Sequence, residues 1–153
     1  MKVAFFTEMI FIGKIPRNHT NMRTEFAWMV ALDADHYNIN QVPEDKYDLG
    51  IIIIPKKNPD IDLAQIKEYC NKVAVMQEGP HWYFQDYDIA RQVHYYNSLQ
   101  KADIIFAHNK KDKEYYQGLT QHKDIRVMQS LMIEDSIDVN SLTDSKDRKN
   151  CII

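Results

Sequence analysis

The chain has 153 residues, of which 44% are hydrophobic and 27% charged. That length suits one domain with room for a substantial core, and that composition excludes a wholly disordered chain. Lys and Arg number 19 against 22 Asp and Glu, a net charge of -3, so net charge does not indicate nucleic acid as a partner. Cys70 and Cys151 are too far apart for a metal pair and too few for a disulfide framework, which points to a reducing, cytoplasmic setting. The N-terminus reaches Glu8 too early for a signal peptide, and no apolar run approaches the roughly 18 residues of a membrane span.

The first predicted strand is Val3 to Thr7, delivering Thr7 and Glu8 at its end. A long loop comes next, from Glu8 to Thr20. It holds Lys14, Arg17, Asn18 and His19, and Arg23 stands near a helix start. Cations beside the backbone N–H groups of a helix N-terminus make an anion site. A solvated basic loop is the other reading. Met9-Ile10-Phe11-Ile12 is apolar for a loop, either as packed core or as a lip facing another domain or an acceptor. Met22, Phe26, Met29 and Val30 then share one face of a first helix.

The second strand, Tyr37 to Asn40, is the weakest. Only about eight residues lead from it to the third, Leu49 to Ile54, too few for a helical crossover. It is therefore expected at an edge, in an order near 2-1-3-4-5-6. The run Ile51-Ile52-Ile53-Ile54 suits a strand buried on both faces of a parallel sheet. Its end delivers Pro55, Lys56 and Lys57. Leu63, Ile66 and Cys70 mark a second helix, with Asp62 and Gln65 spaced like a capping box.

The fourth strand, Val73 to Gln77, runs into Glu78-Gly79-Pro80-His81-Trp82, where Gly79-Pro80 forces a turn. Ile89, Val93, Tyr96 and Leu99 form the expected core stripe of a third helix, which also carries a structural His94. The aromatics Trp82, Tyr83, Phe84, Tyr87, Tyr95 and Tyr96 suit packing, or stacking on sugars or bases. The fifth strand, Asp103 to Ala107, delivers His108 and Asn109. Asn109 suits the cap of a fourth helix that stops at Gly118. The sixth, Ile125 to Gln129, delivers Ser130. This alternation predicts an α/β fold: a Rossmann-like, open, mostly parallel sheet of about six strands flanked by helices. After Ile133 the composition turns polar. Residues 134–153 read as a tail, or as a linker whose Cys151-Ile152-Ile153 begins a further domain.

In such sheets ligands bind at the carboxyl ends of the strands. Those ends offer Lys56, Gln77, Glu78, His81, His108 and Asn109, with Arg17, His19 and Arg23 from the first loop. Glu78, beside apolar Trp82 and Tyr83, has the setting of a general base, with His81 placed to orient it or to contact a sugar or phosphate. Capping of the next helix, or a lysine partner, is the bland alternative. No G-x-G-x-x-G, Walker loop, G-x-S-x-G elbow or zinc-ligand spacing is present.

Four segments carry a resemblance. They are Pro16-Arg17-Asn18 with Asn21 to Trp28, Tyr47-Asp48-Leu49-Gly50, Val75-Met76-Gln77-Glu78-Gly79-Pro80, and Ala102 to Asn109. In their order they resemble the N-terminal half of phage and bacterial glycosyltransferases of the two-domain GT-B fold, over residues 1–133. The resemblance implies an acceptor-side domain that supplies the base, Glu78, with His81, Arg17 and His108 lining the acceptor side. It implies a glycan or other hydroxyl acceptor, no essential metal or other cofactor, and a nucleotide-sugar donor bound by a C-terminal domain that this sequence lacks. A truncated chain of that kind is expected to have little or no transferase activity alone. The alternative is a stand-alone Rossmann-like binding or regulatory protein.

Overall fold

The computed structural model of the protein describes residues 1–10, 13–16, 24–79 and 81–129, with His81 described in its backbone only. Among these residues six strands form one open, all-parallel sheet: β1 (Val3–Thr7), β2 (Asp35–Asn38), β3 (Tyr47–Ile54), β4 (Cys70–Gln77), β5 (Ile104–Ala107) and β6 (Ile125–Val127). Their order is β2-β1-β3-β4-β5-β6, with β2 at the edge as its weak pattern requires. Four α-helices accompany them: α1 (Thr24–Ala31), α2 (Leu63–Lys67), α3 (Ile89–Lys101) and α4 (Lys110–Leu119). A 3-10 helix, His81–Asp86, joins β4 to α3.

Side chains alternate across each strand and so feed two cores. Phe6, Ile52, Ile54, Val73, Val75 and Ile105 face one side, where Leu63, Ile66, Tyr95, Leu99 and Tyr116 of α2, α3 and α4 cover them. Val3, Phe5, Ile51, Ile53, Ala74 and Met76 face the other, covered by Phe26, Ala27, Trp28 and Met29 of α1. The division follows from topology. The crossover β1-α1-β2 moves one way along the sheet and the later crossovers move the other way. Right-handed crossovers in opposite directions land on opposite faces.

Several boundaries differ from expectation. β2 begins two residues earlier, at Asp35, because His36 is a buried strand residue: its ring nitrogen Nε2 lies 2.8 Å from Thr7 Oγ1. A polar, titratable residue in a short strand conceals that strand from a hydrophobic pattern. Cys70 opens β4 instead of closing α2, which has only five residues; Asp62 is its N-cap, accepting the Gln65 N–H at 3.0 Å. α4 continues through Gly118 to Leu119 and is capped by Thr120, whose N–H and hydroxyl both donate to Tyr116 O at 2.9 Å.

The largest departure is the rotation of α3. The expected core stripe contributes only Leu99; the other buried side chains of this helix are Tyr95 and Ser98. Tyr95 stacks on Phe84 with ring centroids 5.5 Å apart, and its hydroxyl lies 3.3 Å from that of Tyr116. Burying that ring, with its hydroxyl matched to another buried hydroxyl, outweighs burying Ile89 and Val93.

Candidate functional site

The strand order reverses between β1 and β3, the switch point at which open α/β sheets bind ligands. Beside it, at the carboxyl ends of β3, β4 and β5, is a cavity of about 200 Å³. Ile53, Met76 and Trp28 form its apolar lining, while Gln77, Glu78, Gly79, His108, Thr24 and Glu25 supply the rest.

Each polar group is held by a local device. The Glu78 N–H donates to Ile54 O at 2.9 Å, carrying the β3–β4 ladder one residue past the strand. The half-buried Glu78 carboxylate turns back, and its Oε2 accepts the Lys56 N–H at 3.0 Å. Gly79 then turns the chain with φ +74, and a Cβ there would meet the Tyr83 ring at 2.7 Å. Lys56 Nζ sits 3.8 Å from the centroid of the same ring. The Lys56 charge is thus engaged with an aromatic face outside the cavity.

Gln77 is fully buried at the end of β4. Its Nε2 donates to Glu78 O at 3.3 Å and to Tyr87 Oη at 3.4 Å, and Tyr87 donates to Pro55 O at 3.2 Å. Burial pushes the Tyr87 hydroxyl above its ordinary value of 10.0, so it stays a donor through the neutral range. Gln77 Oε1 has no hydrogen-bond partner among the described residues. His108 is oriented from the same strand end: its Nε2–H donates to Gln77 O at 2.8 Å. In the neutral ring that bond leaves Nδ1 as the acceptor.

Three of the sequence candidates therefore meet around one cavity: Gln77, Glu78 and His108. Lys56 and Asn109 lie at the same rim without lining it. Asn109 is the N-cap of α4, with Oδ1 accepting the Asp112 N–H at 2.9 Å and Nδ2 donating to Asp112 Oδ2 at 3.1 Å. Arg17, His19 and Arg23 lie outside the described residues, as does the side chain of His81. Lys14, read with them as part of an anion site, instead pairs with Asp33 at 2.7 Å and donates to Asp33 O.

Thr24, Glu25 and Trp28 of α1 complete the cavity. They stand at no strand end, so strand order alone does not point to them. The one available signal was the order of elements, α1 being the helix that follows the first strand after its long loop. Trp28 is fixed from the far side, its Nε1–H donating to Gln129 O at 2.7 Å. Trp82 is exposed and tilts against Tyr83, so the apolar surface beside Glu78 in the cavity comes from Trp28, Ile53 and Met76.

Among the described lining residues none is a Lys or Arg, and two are carboxylates, Glu25 and Glu78. Among the described residues no group of three His, Cys, Asp or Glu is placed to hold a metal ion.

No family model matches the chain, and no curated protein or solved structure matches it.

Proposed function

We propose that this chain is the acceptor-side domain of a glycosyltransferase, in which Glu78 deprotonates an acceptor hydroxyl for attack on the anomeric carbon of a nucleotide-sugar. The observation that carries the reading is the cavity at the carboxyl ends of β3, β4 and β5, where Glu78 and His108 meet over an apolar floor of Trp28, Ile53 and Met76. At about 200 Å³ it is smaller than the usual range for drug-sized ligands, and it suits one ring or one hydroxyl-bearing end of a larger acceptor.

The chemistry rests on the groups present. A carboxylate within reach of a hydroxyl accepts its proton as the oxygen attacks the anomeric carbon, and the bond from that carbon to the nucleotide's phosphate oxygen breaks, so the nucleotide leaves with the bonding pair. One oxygen of Glu78 already accepts a backbone N–H, which fixes the plane of the carboxylate. His108, held through Nε2, offers Nδ1 to a second hydroxyl and so orients the ring. The nucleotide-sugar is assigned to a separate domain.

The test is sugar transfer by a protein joining this chain to a nucleotide-sugar-binding domain. Glu78→Gln is expected to lower kcat by about 10²-fold or more with little change in KM, the usual scale of general-base loss. Near-normal turnover would reject Glu78 as the base. Turnover by this chain alone would reject the acceptor-side reading.

A further inference from the structure

The outward face of α3 carries an apolar row that no described residue covers. Ile89 is 75% exposed, Val93 53% and Tyr96 37%, at i, i+4 and i+7 along one side of the helix. Gln100 extends the row by one turn, and its Nε2 donates to the Tyr96 hydroxyl at 3.0 Å. This row carries no charged residue. The exposed charges of the segment stand at its ends and on the side of the helix away from the row. Asp86 and Asp88 are at the N-terminal end, Lys101 is in the last turn, and Arg91 is set beside Asp60 and Asp88 at 4.0 and 3.8 Å. Apolar and aromatic groups in a charge-free seam, with charge at the rim, are the composition of an interface core.

We propose that this face of α3 is a self-association surface, occupied by α3 of a second copy lying antiparallel across a two-fold axis near Val93. The helix is its own charge complement only in that direction. Antiparallel pairing sets Lys101 of one copy against the Asp86 and Asp88 end of the other, and it opposes the two helix dipoles. Parallel pairing would bring acid onto acid and base onto base. A two-fold axis also makes every contact reciprocal: Ile89 faces the other copy's Tyr96, and Val93 faces its own counterpart. Thirteen residues of helix make a small seam, so the dimer is expected to be weak and reversible.

Sedimentation equilibrium of the chain, from low micromolar to several hundred micromolar, tests this. The expected weight-average mass rises from one copy toward two, with a dissociation constant on the order of 10 μM. Val93→Asp places a carboxylate on the axis and is expected to weaken association at least about tenfold. Tyr95, Ser98 and Leu99, which hold the helix to the sheet, are untouched, so the far-UV spectrum and melting temperature should stay unchanged. Ile89→Lys, at the most exposed position of the row, should act the same way. Lys101→Glu is expected to weaken the dimer, and adding Asp86→Lys to restore it. A chain monomeric at every concentration overturns the proposal, as does a dimer indifferent to Val93→Asp. Failure of the charge swap to restore association overturns the antiparallel arrangement.

Discussion

Gly79→Ala perturbs the turn that sets Glu78 at the cavity, and its cost can be worked from two separate causes. The backbone holds φ +74, where a side chain on an L-residue costs roughly 1–2 kcal/mol. The added Cβ would also lie 2.7 Å from Tyr83 Cε2 and 3.3 Å from Cδ2. Reaching ordinary contact needs a shift of about 0.7 Å in a half-buried ring, a strain of the 1–3 kcal/mol seen for overpacking. The expected total is about 2–5 kcal/mol, read by urea unfolding followed by far-UV circular dichroism. A double-mutant cycle with Tyr83→Ala separates the causes. Without the ring the steric part disappears and only the backbone part, about 1–2 kcal/mol, remains. A neutral Gly79→Ala, or a cost equally large in the Tyr83→Ala background, would refute the account of this turn.

Other expectations concern the scaffold. Gly50→Ala in β3 puts a Cβ 2.7 Å from Cys70 Sγ and 3.3 Å from Phe6 Cε2, and should lower unfolding stability by about 1–3 kcal/mol. Leu99→Ala should cost about 2–5 kcal/mol in urea titrations and Val93→Ala at most about 0.5 kcal/mol, since the first is buried and the second points outward; equal costs would contradict the observed rotation of α3. Asn109→Ala removes the α4 cap and should cost about 1 kcal/mol, whereas Asn109→Ser should largely keep it. At alkaline pH the sign is also defined. Burial pushes the Cys70 thiol up from 9.0 to about 11 and raises the Tyr87 hydroxyl, so the unfolded chain gives up these protons first. The contribution of these groups should therefore be fully present below about pH 9 and be lost as pH rises toward 11, so urea midpoints should fall across that window; a rise there would contradict the burial of these groups.

Much of the site was legible because strand ends are legible. The Ile51–Ile54 run and the Val73–Gln77 strand have no other good place than the middle of a buried sheet, so the residues directly after each strand must emerge at its carboxyl edge. That brought Gln77, Glu78 and His108 into one reading. It placed Lys56 and Asn109 at the same rim, but rim position does not say what a side chain is tied to. Lys56 lies on the Tyr83 ring, a contact made only once the chain has folded, whereas Asn109 caps the first turn of α4, the local role its place before that helix led one to expect. The α1 residues of the cavity were missed for the complementary reason. They reach it from a helix packed on the face that Ile53 and Met76 share, a placement no local pattern encodes.

The linear order of apolar runs and amphipathic segments by itself determined the fold class, the six parallel strands and the edge position of β2. Strand periodicity and loop length are local properties, and the handed crossover leaves little freedom in how they assemble. Only the tertiary structure decided which side of α3 is core. Two stripes compete on that helix, and both are compatible with its periodicity. Tyr95 is buried because Phe84, Tyr87 and Tyr116 come from other segments to receive its ring and hydroxyl. Among the described residues Ile89 and Val93 find no such partners, and both are exposed.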